Sequence, residues 1–306
     1  MSDTPLDSKK YRIGLLHHGN KTNIWGSVIT TKYLEKALLK LGHDVYNISV
    51  TQHEDYPTIL SKKTDFFISE GVPEWQIPKG VWDTTDKKIF WWLSELWYDV
   101  DNIDTSNFDA IATNSNLEPK KPHAKIDLAV DAGIHYAGVN EAYMGYYAYI
   151  GLYPHKSIEQ MDGLFLPCIK YGKLGLWGKG WVKSPYKEYD KGVLELNEIG
   201  TLYKSVKAAL LLTEMKQKAK NMINNRVYEV LGSGCLAISE PFEYLENSDL
   251  GKYIQFVKKD EDMKTILERH EAGEFKQTIV AAQRYVLENH NYIKRAEQFI
   301  KLFESL

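Results

Sequence analysis

Arg226 and Glu229 stand three residues apart in the segment Asn224-Asn225-Arg226-Val227-Tyr228-Glu229-Val230-Leu231-Gly232-Ser233-Gly234-Cys235-Leu236-Ala237-Ile238-Ser239-Glu240. Side chains at that spacing share one face of a helix. Val227, Val230 and Leu231 fall at i, i+3 and i+4 and form a separate apolar face. Gly232 and Gly234 suit a helix exit. Leu236-Ala237-Ile238 has the unbroken apolar run of a parallel strand covered on both sides. A charged pair on the opening turn of a helix that feeds a buried strand lies where open α/β sheets bind nucleotides. The dipole of such a helix start favours phosphate, and a carboxylate one turn in can accept hydrogen bonds from ribose hydroxyls. The same spacing also serves an ordinary surface ion pair on an amphipathic helix.

The elements that must position this pair read as an alternation of strands and helices. Tyr11 to Leu16 predicts a strand ending at His17-His18-Gly19-Asn20, followed by a helix from Val28 to Leu41, stopped by Gly42, and a strand from Asp44 to Val50. That βαβ unit implies a parallel sheet with a right-handed crossover. Strands are predicted again at Thr64–Ser69, Lys88–Leu93 and Phe108–Thr113. Pro119 to His123 is a Lys/Pro-rich break and the candidate linker. A second series of strands follows at His135–Val139, Leu174–Gly178, Ala208–Leu212, Cys235–Ser239 and Tyr253–Val257. Two helices hinged near Asn289 to Asn291 close the chain. The expectation is an α/β protein of two tandem doubly wound, Rossmann-like domains with an interdomain cleft.

Composition narrows the chemistry. A chain of 306 residues has room for two domains. A net charge of -3 argues against a surface coated in basic residues for duplex binding, without excluding a local basic groove. The 2 cysteines, Cys168 and Cys235, lie far apart in apolar runs without metal-ligand spacing, as expected of buried thiols in a reducing cytoplasm. Met1 to Lys10 has no apolar core of a signal peptide, and no apolar run approaches the roughly 20 residues of a membrane span. A soluble, cytoplasmic protein is expected. His17-His18-Gly19-Asn20-Lys21-Thr22 lacks the glycines of a dinucleotide fingerprint, which weakens an oxidoreductase reading, and no P-loop motif occurs.

Four patches carry a family resemblance. Ile13 to Asn20, with the following helix and Gly42-His43-Asp44-Val45, resembles the opening of the phage DNA β-glucosyltransferases. Lys88-Ile89-Phe90-Trp91-Trp92-Leu93-Ser94-Glu95 resembles the strand that ends in their catalytic carboxylate. Leu176-Trp177-Gly178-Lys179-Gly180-Trp181 is similar to a strand end of the spore-maturation type of glycosyltransferase. Arg226-Val227-Tyr228-Glu229 is similar to the donor-binding helix of both branches. All belong to the GT-B glycosyltransferases.

The resemblance implies an N-terminal acceptor-binding domain over residues 1–125, a C-terminal donor-binding domain over 126–290, and a last helix over 291–306 that packs back on the first domain. It implies Glu229 on the donor ribose and Arg226 at the uracil or diphosphate end, with Gly138, Val139, Gly178 and Lys179 also at the donor. Glu95 takes the place of a general base, with Asp99 and Asp101 as rivals, and His17 stands beside it as a catalytic candidate. His18, Asn20 and Trp25 are the acceptor-side candidates, Trp25 by stacking on an extruded base or a sugar ring. The donor implied is UDP-glucose. The acceptor implied is a hydroxymethylated pyrimidine in double-stranded phage DNA, in the cytoplasm of an infected host, with Lys62-Lys63, Lys87-Lys88 and Lys120-Lys121 as phosphate contacts. A saccharide, lipid or protein acceptor and a non-catalytic nucleotide-sugar binder are the alternatives. No Asp-x-Asp signature demands a protein-bound metal, although a divalent ion remains compatible.

Two departures from the pattern stand out. The loop Gly138-Val139-Asn140-Glu141-Ala142-Tyr143-Met144-Gly145 carries none of the arginines that grip the diphosphate in the phage enzymes. The helix start after Val139, Lys179, or Lys216, Lys218 and Lys220 would then have to serve. Seven residues before Glu229, where many retaining members hold a second Glu, stands Met222 with Asn221 beside it, which favours an inverting outcome.

Overall fold

The computed structural model describes residues 9–19, 26–51, 63–92, 104–116, 118–153 and 157–306. The chain divides into two units, one of Met1–Asp127 with Tyr292–Leu306 and one of Leu128–Asn291.

The first unit is built on a six-stranded sheet. Its strands are β1 (Arg12–His17), β2 (Asp44–Ser49), β3 (Phe66–Glu70), β4 (Lys88–Trp92), β5 (Ala110–Thr113) and β6 (His123–Lys125), in the spatial order β2-β1-β3-β4-β5-β6. Every pairing is parallel. Among the described residues, two helices precede the second unit, α1 (Gly26–Lys40) and the short α2 (Lys79–Trp82). The apolar runs are what a sheet covered on both faces requires. Leu16, Ile48, Phe67, Val72 and Val81 pack on one face. The other face is closed by the last helix of the chain, Tyr292–Glu304, where Phe303 stacks on Phe66 and Phe299 meets Trp91 edge-on at 5.0 Å. Tyr11 Oη donates to Glu304 at 2.7 Å, and Arg295 Nε donates to the carbonyl of Asp127 at 2.8 Å.

The second unit has five parallel strands, β7 (Tyr147–Ile150), β8 (Leu174–Trp177), β9 (Ala208–Leu211), β10 (Leu236–Ser239) and β11 (Ile254–Phe256), in the order β11-β10-β9-β7-β8. Its helices are α3 (Ile158–Tyr171), α4 (Ile199–Ser205), α5 (Met215–Ala219), α6 (Asn225–Gly232), α7 (Glu243–Glu246), α8 (Asp260–Glu271) and α9 (Lys276–Asn289), and the closing helix of the first unit is α10. Tyr149, Phe165, Leu176, Trp181, Leu210 and Ile238 lie in its core. Both cysteines are free and buried there, and burial pushes each thiol up to about 12.

Two expectations are corrected. His135–Val139 is not a strand: a single 3-10 turn at Ile134–Tyr136 leads into a loop in which Tyr136 is 82% exposed. No apolar face there is available for burial, and the first strand of the unit begins only at Tyr147. Pro119 to His123 is not the linker. Lys121 donates to the carbonyls of Ser106 and Phe108, and His123 opens β6, so the break is a turn that adds an edge strand to the first sheet. The chain passes from one unit to the other between Asp127 and Leu128.

Candidate functional site

In open parallel sheets the ligand crevice forms at the carboxyl ends of the strands, where the strand order reverses. In the second unit the reversal lies between β7 and β9, because β8 was added on one side of β7 and β9 to β11 on the other. Arg226 bridges this point. Its guanidinium lies 4.9 Å from the ring centre of Tyr149 on β7, and Nη1 donates at 3.2 Å to the carbonyl of Leu212, just past β9. The sequence folds this way because α6 buries Val227, Tyr228, Val230 and Leu231 while Arg226 and Glu229 stay half-buried. Gly234 ends the helix with φ +72°, a conformation that glycine adopts freely. Val227, Val230 and Leu231 therefore form the apolar face expected from their spacing.

Unpartnered buried polar atoms gather around this helix start. Tyr149 Oη, Tyr203 Oη and Asn224 Oδ1 are buried with no hydrogen-bond partner among the described residues. Buried groups of that kind cost roughly 1–3 kcal/mol each unless something bonds to them, so their grouping fits a polar ligand. Burial raises the Tyr149 pKa, against the opposing charge of Arg226. Tyr203, on α4, is raised well above its ordinary value by burial first and by the Glu229 carboxylate second. That places Glu229 in the same electrostatic neighbourhood as Arg226.

Sequence reasoning missed Glu240, at the exit of β10. Its carboxylate accepts from Thr213 N at 2.9 Å and from Gln160 Nε2 at 3.4 Å, and Lys218 lies 2.8 Å away in a largely buried pair. Of the lysine run before Arg226, Lys218 is thus held against the strand ends, while Lys216 is exposed. A Glu following a buried strand was the available signal.

Gly178 and Lys179 follow the end of β8. Gly178 has φ +131°, and a Cβ there would sit 2.2 Å from the Gly151 carbonyl oxygen. Trp181 Nε1 donates to that same oxygen at 2.9 Å, and the Lys179 carbonyl accepts from Tyr153 N at 3.1 Å. The Gly178 to Trp181 stretch therefore clamps the loop that leaves β7. Gly138 and Val139 lie in the exposed loop before β7, far in sequence from its carboxyl end. The loop after the first strand of this unit begins at Gly151.

In the first unit the order reverses between β1 and β3. His17 ends β1 and pairs in register with Ser49 of β2 and Glu70 of β3. His17 Nδ1 lies 3.0 Å from the His18 carbonyl oxygen. His18 has its pKa lowered by burial, with a bond to the Gly71 backbone opposing and His17 adding to the fall. Glu70 is 1% exposed and was not singled out from the sequence. Glu95, Asn20 and Trp25, with Asp99 and Asp101, lie outside the described residues.

The paired lysines are partly committed elsewhere. Lys88 is buried, donates to Thr85 O at 2.6 Å and lies over the Trp82 ring. Lys87 donates to Leu306 O at 3.3 Å, and Lys121 is bound to two carbonyls, whereas Lys63 and Lys120 are exposed. Among the described residues no group of three or more His, Cys, Asp or Glu is placed to hold a metal ion, and no helix is long and apolar enough to cross a membrane.

Comparison with known proteins bears on the fold that carries these residues. Residues 157–301 match the family model described as "Glycosyl transferase-like". No curated protein sequence matches the chain. Among solved structures, an alpha-glucosyltransferase in complex with UDP and a 13-mer DNA containing an HMU base superposes with a TM-score of 0.69 at 11% identity, over 97% of this chain and 100% of that one. An alpha-glucosyltransferase in complex with UDP-glucose and DNA containing an abasic site gives 0.71 at 11% identity, over 96% and 99%. Anabaena HepE in complex with UDP-glucose gives 0.62 at 10% identity, over 97% and 100%. At these identities the superpositions establish the fold. The chain thus has the two-domain GT-B fold of these structures, and its residues 157–301 are similar to a glycosyl transferase-like family.

Proposed function

We propose that this protein is a nucleotide-sugar-dependent glycosyltransferase that moves a hexosyl group, glucose first among candidates, from a UDP-linked donor to an acceptor hydroxyl. The observation that carries the reading is the start of α6. It brings a half-buried Arg226 and Glu229, and unpartnered Tyr149, Tyr203 and Asn224 atoms, to the reversal point of the second sheet. Glu229 would accept the ribose hydroxyls. Arg226 would face the uracil or the diphosphate, with Lys218 as a further cation near the strand ends. In transfer, the acceptor oxygen loses its proton to a base as it bonds the anomeric carbon. The bond from that carbon to the diphosphate breaks, and its electron pair leaves with UDP. The leaving group needs charge stabilisation and no proton, which cations and a helix start supply. Glu95 and His17 are the candidates for the base, and His18, Asn20 and Trp25 for the acceptor side. Since the position seven before Glu229 is a buried Met222, we assign inversion at the anomeric carbon. An α-linked product from UDP-α-glucose would overturn that assignment.

For the acceptor we propose a hydroxymethylated pyrimidine in DNA, supported by the DNA held in the alpha-glucosyltransferase structures. The engagement of Lys87, Lys88 and Lys121 within the first unit favours a second reading, a saccharide or other small acceptor. The deciding experiment incubates a panel of nucleotide sugars with hydroxymethylated and with plain DNA and reads the nucleosides by mass spectrometry. Sugar on the hydroxymethylated base alone supports the DNA acceptor. A DNA affinity that stays flat between 50 and 200 mM salt would favour the small acceptor, because phosphate contacts release counterions. In parallel, Glu229→Ala should retain the melting temperature and lose most of the UDP affinity. Unchanged UDP affinity would remove the nucleotide from this helix.

A further inference from the structure

We propose that the first unit holds a saccharide-binding site of its own, at the amino ends of its strands. Binding there stands independently of the glycosyltransferase reading, whereas its use for an acceptor glycan rests on that reading. The site is a cavity of about 360 Å³ lined by Glu74, Trp75, Ile77, Lys79, Trp82 and Asp104. The chain enters it after β3, where Glu74–Gln76 form a 3-10 turn closed by Ile77 N donating to the Glu74 carbonyl at 2.8 Å. Ile77 is buried with Val72 and Val81, whereas Trp75 is 77% exposed. Trp82, on α2, is half-buried and meets Phe108 edge-on at 5.1 Å, with Lys88 Nζ 4.7 Å from its ring centre. Lys88 opens β4 and Phe108 precedes β5, so the cavity lies at the other end of the sheet from His17, which ends β1.

A lone exposed apolar side chain needs no explanation. Here the exposed indole shares a concave surface with a second indole and with charged side chains, the composition of a ligand site. A sugar ring presents an apolar C–H face and a rim of hydroxyl donors. An indole face covers the first, and carboxylates accept from the second. Those carboxylates are already oriented by their own chain. Asn107 Nδ2 donates to Glu74, and Ser106 N donates to Asp104 at 2.8 Å. An ionised carboxylate has acceptor room for several bonds, so each keeps lone pairs for a ligand. The bonds from Ser106 hold the Asp104 carboxyl below its ordinary value, so it is an acceptor at neutral pH.

Charge selects among the ligands that stack on tryptophan. A nucleic-acid strand needs cations along its phosphates. Among the described residues that line the cavity Lys79 alone is cationic, and its Nζ lies 2.8 Å from Asp83. Lys88 is buried and bonded to Thr85 O. Glu74 and Asp104 add negative charge, so the lining disfavours phosphate. A wholly apolar partner would desolvate both carboxylates and offer them no donors. A neutral saccharide meets the indoles and the carboxylates together. Ligands react at the carboxyl ends of such sheets, so a saccharide held at the amino ends is anchored there and not itself glycosylated. That role suits a glycan acceptor long enough to be gripped away from its reacting end.

The test is an NMR titration of the full chain with hexasaccharides of α-linked glucose, β-linked glucose and N-acetylglucosamine. The Trp75 indole N–H, assigned through Trp75→Phe, is the reporter, and single-stranded DNA is titrated in parallel. At least one hexasaccharide should shift that signal to saturation. Its affinity should fall at least about tenfold in Trp75→Ala and be largely kept in Trp75→Phe, while UDP affinity stays within about twofold in both. Asp104→Asn should weaken the same saccharide without moving the melting temperature. Absence of a saturating shift with all three hexasaccharides overturns the proposal. Undiminished saccharide affinity in Trp75→Ala does so too, as does DNA binding at Trp75 tighter than that of any saccharide. Saccharide binding at Trp75 without sugar transfer to any acceptor leaves this site standing and brings down the transferase reading. Transfer without saccharide binding at Trp75 does the reverse.

Discussion

At the scale of single residues, Tyr149 separates binding from stability. Its hydroxyl is buried without a partner, and its ring carries the Arg226 guanidinium. Removing an unsatisfied buried hydroxyl relieves a desolvation penalty, whereas removing one that bonds a ligand loses about 0.5–1.5 kcal/mol of binding. Tyr149→Phe should therefore leave the melting temperature unchanged or higher and weaken UDP-sugar binding roughly 2- to 12-fold. Calorimetry of binding and of unfolding on the same variant reads both signs. Equal affinity for the donor would show that the hydroxyl does not touch it. That Arg226 and Glu229 share one helix face was legible from their spacing, although the same spacing also serves an ordinary surface ion pair. Glu70 and Glu240 were not, because a single acidic residue at a strand end is common, and only the register and the burial distinguish these two.

The elements show how local chemistry is turned into placement. The loop leaving β7 is fixed by the stretch after β8, through Gly178 against the Gly151 carbonyl and Trp181 Nε1 bonded to the same oxygen. An Ala at position 178 would need a backbone conformation that side chains rarely adopt, costing about 1–3 kcal/mol, and its Cβ would also meet a main-chain atom that cannot rotate away. Gly178→Ala should lower the melting temperature by several degrees and reduce UDP affinity as the Gly151 loop shifts. A thermal melt with and without UDP measures both, and an unshifted melt would mean that the loop has room to move. The bend between α5 and α6 has Asn221 at φ +54°, a conformation that Asn tolerates better than most side chains. Asn221, read from the sequence as part of a departure in chemistry, therefore also sits where backbone geometry constrains the choice of residue.

For the whole molecule, pH is the informative variable. His18 and His43 in the first unit and His270 in the second all have pKa values lowered, in each case chiefly by burial. The unfolded chain then binds more protons than the folded one below the ordinary histidine value. Stability should be full above that value and fall as pH drops through about 6.5 toward 5. Melting temperatures measured from pH 7.5 to 5 at constant salt test this, and a flat profile would contradict the burial of these rings. The closing helix belongs to this scale too. Phe299 and Phe303 seal the first sheet although they lie far along the chain beyond its last strand, which ends at Lys125. By itself the sequence determined the alternation of strands and helices, the two doubly wound units and the α6 pair, because periodicity and helix spacing are local properties written in neighbouring residues. Tertiary structure decided where β7 begins, that the Lys/Pro-rich break belongs to an edge strand, which glycines serve close contact, and that His17 and Glu70 share a row. Those depend on pairing and burial between residues distant along the chain, and no local pattern encodes them.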